Sequence, residues 1–196
     1  MTNVTDEKQS IAKLTALVDE IASRQQINDL LVHYTHGCDR ADVELLRSVY
    51  HPDAIDNHGK FNGPAADFAA WATDLHLGFS CTTHYICNSV VEIDGDLAHG
   101  ETYVQVWIRS NGEQGVDRVI GGRYLDRFER RGGVWKIAKR HLLVDWHTLI
   151  NVESLPPKEG TDTWYSGSRD RNDPSYALLR RWPNPPNVPA IDSDSQ

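Results

Sequence analysis

Residues 116–149, VDRVIGGRYLDRFERRGGVWKIAKRHLLVDWHTL, decide the fold. Two β-rich runs, Val116–Arg130 and Val134–Leu149, meet at Arg131-Gly132-Gly133, where glycine supplies the positive φ that a tight hairpin turn requires. Two more runs of the same texture precede them, Cys81–Ile93 and Leu97–Ser110, joined by a second glycine turn at Asp94-Gly95-Asp96. Asn111 to Gly115 is a looser connection between the pairs. Four long strands in series, each returning on the one before, predict an antiparallel meander.

Upstream the periodicity changes from two to between three and four. Over residues 8–38, Ile11, Leu14, Leu17, Val18, Ile21, Ile27, Leu30, Leu31, Tyr34 and Cys38 fall at helical spacing and predict one buried stripe. Thr5 with Asp6 suits an N-cap, and the length predicts a break between Ser23 and Gln26. A short helix from Asp42 to Tyr50 should stop at His51-Pro52, because a residue before proline resists the α conformation. Asp53 to Gly59 reads as a short strand. A third helix opens at Gly63-Pro64 and buries Phe68, Trp71 and Leu75. Helices first and strands after argue for an α+β domain, a curved antiparallel sheet wrapped on N-terminal helices as a cone with an apolar cavity.

Residues 1–150 form that domain, and residues 151–196 form an irregular extension. The extension holds most of the nine prolines, yet carries Trp164, Tyr165, Tyr176 and Trp182, too many aromatics for pure disorder. It is expected to pack over the pocket mouth or a neighbouring subunit. Within it, GSRDRNDPSY (167–176) reads as a tight turn held by internal ion pairs.

Composition bounds the partners. A net charge of −8 argues against nucleic acid, which needs clustered Lys and Arg. The basic run Arg118, Arg123, Arg127, Arg130, Arg131, Lys136, Lys139, Arg140 reads as a solvated sheet edge. No stretch approaches the ~20 apolar residues of a membrane span, and MTNVTDEKQS lacks a signal-peptide core, so a cytoplasmic location is expected. Cys38, Cys81 and Cys87 lack CxxC spacing and read as reduced, buried thiols.

The run HYTHGCDR places Tyr34 and Asp39 at the end of the first core helix, and TTHYICN places His84 at the start of the first long strand. A neutral imidazole, with an unperturbed pKa of ~6.5, is the side chain best suited to accept a proton near neutral pH. A carboxylate on its far nitrogen fixes the tautomer and stabilises the imidazolium. Tyr34 and Asp39, five apart, diverge by ~140° on an ideal helix, so they share a pocket only where the helix unwinds near Gly37. His141, Asp145 and His147 alternate on one face of the last strand, but spread over six residues at ~3.3 Å each they cannot hold one metal ion. They read instead as a polar pocket wall. His33 and His36 read as surface histidines.

The Tyr-x4-Asp helix end, the TxHxxxN strand and the closing YLDRFERRGGVWKI hairpin together resemble the SnoaL-like branch of the NTF2-like superfamily, over roughly residues 20–148. The likeness is to its scytalone dehydratase, hexachlorocyclohexane dehydrochlorinase and bile-acid 7α-dehydratase members. It implies a trimer whose pocket eliminates water or HX from a small apolar, cyclic substrate without a cofactor or metal. His84 would be the base, Asp39 its orienting carboxylate and Tyr34 a donor to the departing or enolising oxygen. Tyr103, Trp107, His141 and Trp71 are the expected substrate-lining residues. The sequence departs from the bile-acid branch by placing Val106 where that branch has a strand acid. An isomerase, a non-catalytic binding or assembly module, and the small subunit of a ring-hydroxylating oxygenase are the other uses of such a domain.

Overall fold

The computed structural model describes residues 4–111, 115–152 and 167–179. A long helix α1 (Val4–Asp39) and a one-turn-and-a-half helix α2 (Val43–Ser48) lead into strand β1 (Tyr50–Asn57), strand β2 (Asn62–Pro64) and helix α3 (Ala65–Leu77). The meander follows as β3 (Cys81–Asp94), β4 (Leu97–Arg109), β5 (Gly115–Arg131) and β6 (Val134–Val152), with a short helix α4 (Pro174–Leu178) in the extension. The strands form one curved, unclosed sheet in the order β2-β1-β6-β5-β4-β3. All neighbours are antiparallel except β1 and β6, which run parallel. The expected α+β architecture is present. Gly95, Gly132 and Gly133 carry the positive φ values that the two tight turns require.

The helices fill the concave side of the sheet. Ile27, Leu31, Tyr34 and Cys38 of α1, Leu46 of α2 and Phe68, Ala69 and Ala72 of α3 are buried with Val104, Val106, Ile108, Tyr124, Phe128 and Ile137 of the strands. This accounts for only half of α1. The helix is unbroken between Ser23 and Gln26, where no glycine or proline interrupts it, and begins at Val4, so Thr5 and Asp6 lie within its first turn. It therefore runs past the sheet, and Ile11, Leu14, Leu17, Val18 and Ile21 are 52–64% exposed. The periodicity that predicted one buried stripe is real, but its first half has nothing of the described domain to bury against.

The other departures have local causes. His51 and Pro52 lie inside β1 instead of ending a helix, at a register shift between Tyr50 and Ile55 where the ladder is interrupted and the missing proline N–H costs nothing. The basic run is not a sheet edge: it lies on β5 and β6, which are interior strands, and Arg140 is wholly buried. The open edges are β2 and β3. Of the cysteines only Cys38 is buried, because Cys81 and Cys87 sit on the β3 edge.

The α1–α2 junction positions the site. Gly37 does not unwind the helix. Its lack of a side chain lets α2 approach, since a Cβ there would lie 3.1 Å from the Leu46 nitrogen. The Asp42 N–H donates to the Gly37 carbonyl at 2.9 Å and the Ala41 N–H to the Cys38 carbonyl at 3.3 Å, the paired bonds of a left-handed helix cap. Ala41 takes the left-handed turn itself, at φ 52°. Ala41→Gly is therefore expected to stabilise the protein by about 0.5–1 kcal/mol, read as a higher urea midpoint with unchanged slope. An unchanged or lower midpoint contradicts this.

Candidate active site

Asp39 is the last residue of α1, and His84 is the fourth of β3. The helix packs along β3, and this contact brings together residues 45 apart in sequence. The Asp39 carboxylate meets the His84 Nδ1 at 2.6 Å through Oδ1 and accepts the His84 backbone N–H at 2.9 Å through Oδ2. Two bonds to one residue fix both the carboxylate plane and the strand position, so the imidazole is held with its Nε2 directed away from Asp39. The side chains are 5% and 11% exposed for His84 and Asp39. A carboxylate on Nδ1 is the arrangement that leaves Nε2 free to accept a proton.

His76 of α3 completes the surroundings, with its ring 5.4 Å from that of His84 in an edge-to-face contact. Burial, and then the neighbouring His84, push its pKa down to about 3. Its Nδ1 is buried and has no hydrogen-bond partner among the described residues. The consequence for stability has a definite sign. The unfolded chain binds this proton near the usual value of 6.5 and the folded chain near 3, so stability is full above about pH 6.5 and falls as the pH drops towards 3. His33 and His36, also lowered by burial, add to the same slope at its upper end. The expected slope for His76 is about 1.4 kcal/mol per pH unit within that window, and His76→Leu should flatten it in urea titrations at successive pH values. An equally steep acid limb in the variant contradicts the assignment.

The extension reaches this site. Arg169 donates from Nη1 to the Phe79 carbonyl at 2.5 Å and, at 3.4 Å each, from Nε to the Asp39 carbonyl and from Nη2 to the Thr82 hydroxyl. Around it Arg171 and the Tyr176 hydroxyl donate to Asp42, and Arg40 donates to Asp173. The segment 167–176 is therefore not a turn closed on itself. Asp170 does bond Ser168 and Asn172 internally, but the arginines and Tyr176 tie the segment to α1, α2 and β3. Arg169 was hidden in the sequence because its neighbours Asp170 and Asp173 offered it local partners.

Tyr34 is not brought to the pair. Because α1 stays helical through Asp39, Tyr34 projects into the core, edge-on to Tyr50 and Tyr124 and parallel to Phe68. The Arg140 guanidinium lies 4.1 Å from its ring centroid and 4.0 Å from that of Tyr124. Arg140 donates two bonds to Asp126, at 2.8 and 2.7 Å, and both side chains are fully buried. Burial alone favours a neutral arginine, but the Asp126 carboxylate outweighs it and holds the guanidinium charged. Asp56 accepts from the Tyr50 hydroxyl at 2.6 Å and contacts His58 Nδ1 at 3.1 Å, extending this buried polar network. Alternating charge along β5 and β6 concealed it, because Arg140 looked like one more exposed member of the basic run.

The expected substrate-lining residues divide. Trp71 packs on Phe61 and Phe68 on the helical side. Tyr103, Trp107 and His141 do not reach His84. His84 pairs with Val106, which faces the core, so Trp107 and Tyr103 point to the outer face, where Trp107 donates to Asp117 at 2.6 Å. His141 pairs with Leu125 on that face too. Nor do His141, Asp145 and His147 share one face. A bulge opposite Gly121 and Gly122 breaks the alternation, so that Asp145 bonds Arg123 on the outside while His147 pairs with Ile120 on the concave side. A cleft of about 620 Å³ on the outer face, between His99, Glu101, Leu125 and His141, is remote from the pair. No described group of histidines, cysteines and carboxylates has the arrangement of a metal site.

A curved sheet with three helices in its concavity, and an Asp–His pair where helix meets edge strand, define a class of small α+β proteins. The SnoaL-like domain model matches residues 19–141, and the chain belongs to that family. Hexachlorocyclohexane dehydrochlorinase 1 of Sphingobium indicum is 28% identical over 152 residues, covering 71% of this chain and 94% of the relative. The crystal structure of LinA superposes with a TM-score of 0.64 at 27% identity over 71% of this chain and 98% of that one. A scytalone dehydratase-like structure from Novosphingobium aromaticivorans gives 0.62 at 19% identity over 72% and 97%, and shows the fold alone. The family match leaves out residues 1–18 and 142–196. No described helix is long and apolar enough to cross a membrane.

Proposed function

We propose that the protein is a cofactor-independent lyase that removes HX or water from a small, apolar, cyclic substrate. The observation that carries this reading is the pair of hydrogen bonds that Asp39 accepts from His84. In the proposed step His84 Nε2 takes a proton from the carbon next to the one bearing the leaving group. The C–H electron pair becomes the new double bond, the leaving group departs with its own pair, and Asp39 stabilises the imidazolium. The neutral His76 beside it adds no competing charge, and burial strengthens the ion pair that forms. The likeness to hexachlorocyclohexane dehydrochlorinase supports elimination over isomerisation. The test is incubation of the purified protein with cyclic polychlorinated alkanes and cyclic β-hydroxy ketones, following chloride release and enone absorbance. Turnover that depends on His84 supports the reading; no turnover of either class overturns it.

One observation favours a second reading, a non-catalytic ligand-binding module: Tyr34, Tyr50, Phe68, Tyr124 and Arg140 fill the centre of the concavity. Ligand binding that is insensitive to His84, with no product from any substrate, would establish it. Self-association belongs to either reading. The exposed stripe on α1 supports a homo-oligomer, the trimer that the family resemblance implied or a dimer. Light scattering should give a multiple of the 22.1 kDa chain mass, reduced in Leu14→Asp. A monomeric wild type contradicts this.

A further inference from the structure

The concave face of the sheet continues past the helices to an open mouth, and the chemistry there differs from the rest of the surface. A cleft of about 460 Å³ is lined by Lys60, Arg118, Ile120, Val144, His147 and Leu149. Three of these are basic and three are apolar, and none is acidic. In a chain with 28 acidic residues against 20 lysines and arginines, a concavity with Lys60 and Arg118 and no carboxylate runs against the composition.

Among the described residues, no carboxylate pairs with Lys60 or Arg118. Among the described residues, Arg24, Arg40, Arg47, Arg109, Arg123, Arg127, Arg130, Arg131, Arg140 and Arg171 each meet a carboxylate, and Arg169 is held by two carbonyls and a hydroxyl. Arg118 meets none. Beside it Val144 and Leu149 are 53% and 61% exposed. A cluster of unneutralised positive charge over exposed aliphatic side chains is unfavourable on both counts until something fills it. The filler that satisfies both is a molecule with an anionic oxygen group and an apolar body.

Register connects this mouth to the Asp39–His84 pair. His84 pairs with Val106, Val106 with Ile120, and Ile120 with His147, so all four stand in one row on one face. Thr82, Ile108, Arg118 and Leu149 make the adjacent row in the same way. Three strand spacings separate His84 from His147, about 14 Å along the sheet. The aliphatic side chains of Val106 and Ile120 lie between.

We propose that this cleft is the anion-binding end of the substrate site, and that the natural ligand is an apolar ring system bearing a carboxylate or phosphate. Arg118 offers the planar fork that either group accepts, Lys60 a point charge from the β1–β2 turn, and Ile120, Val144 and Leu149 the floor for the rings. The substrate-class assignment rests on the proposed elimination at His84; the binding site itself does not.

The test is calorimetric titration of the full chain with three probes of one ring system: 2-naphthoate, 2-naphthyl phosphate and the uncharged 2-naphthalenemethanol. At least one anion should bind about tenfold or more tightly than the alcohol, and the preferred anion identifies the acid group. Arg118→Gln and Lys60→Gln should each weaken that anion about tenfold or more while leaving the alcohol unchanged, and added salt should weaken the anion alone. Both side chains are at the mouth, so neither change disturbs the core. Equal binding of anions and alcohol, no binding of any probe, or an anion affinity that survives the double substitution overturns the proposal. His84→Ala provides the separation from catalysis. Anion binding retained in that variant, together with no turnover of any substrate by the wild type, would remove the elimination reading and leave the site.

Discussion

His84→Ala is expected to lower turnover by about 10³-fold or more while leaving the fold intact, the usual range for loss of a general base being 10²–10⁴. Among the described residues the imidazole has one hydrogen-bond partner, Asp39, and its removal opens a small space beside His76 without stranding a charge that water cannot reach, since Asp39 keeps the backbone N–H of residue 84. Asp39→Asn should cost a comparable factor for a different reason. The amide can still accept the backbone N–H, but its NH₂ then faces Nδ1 and turns the proton to Nε2, where it blocks the base. The two variants together should do little more damage than either alone, because the residues act as a unit. Activity in His84→Ala near that of the wild type would end the catalytic reading. A large loss accompanied by a lowered thermal midpoint would show a structural role instead.

The second large effect is on stability. Asp126→Ala is expected to cost about 3–5 kcal/mol, enough to unfold much of the population, because it leaves the Arg140 guanidinium charged and buried between two tyrosine rings. Among the described residues the buried Arg140 Nη1 has no hydrogen-bond partner even with Asp126 in place, so only the two ring faces remain to offset the charge. Replacing both, as Asp126→Leu with Arg140→Met, should recover most of the stability, since a paired charge and an apolar filling of similar volume have similar cost. Urea denaturation of the single and double variants measures this directly. A double variant as unstable as Asp126→Ala would mean that the volume and the stacking on Tyr34 and Tyr124 matter more than the charge.

The sites of these two effects were not equally legible. The Asp39–His84 pair could be named from the chain because each residue sits at a recognisable boundary, one at the end of a periodic helix and one at the start of a β-rich run. The Arg140–Asp126 pair could not. Fourteen residues apart on neighbouring strands, they meet because Asp126 pairs directly with Arg140 across the hairpin. That register depends on a shift between Arg127 and Phe128 which no spacing in the sequence announces. The same sensitivity misplaced the lining residues. A one-residue bulge turns every side chain beyond it to the other face, so His147 joins the concave side while His141 and Asp145 stay outside.

The sequence by itself determined the element types, the two glycine turns and the α+β order. These are local or nearly local properties, set by side-chain periodicity and by the few residues that tolerate a positive φ. Only the tertiary structure decided which face of the sheet each strand residue occupies, where the apolar stripe of α1 stops being covered, and that the extension returns to hold Asp39 through Arg169. Those depend on bulges, on the relative lengths of helix and sheet, and on contacts spanning up to 134 residues, such as Tyr176 to Asp42. No window along the chain contains both halves of such a contact, and that is why the mouth of the concavity, with Arg118 and Lys60, became visible only in three dimensions.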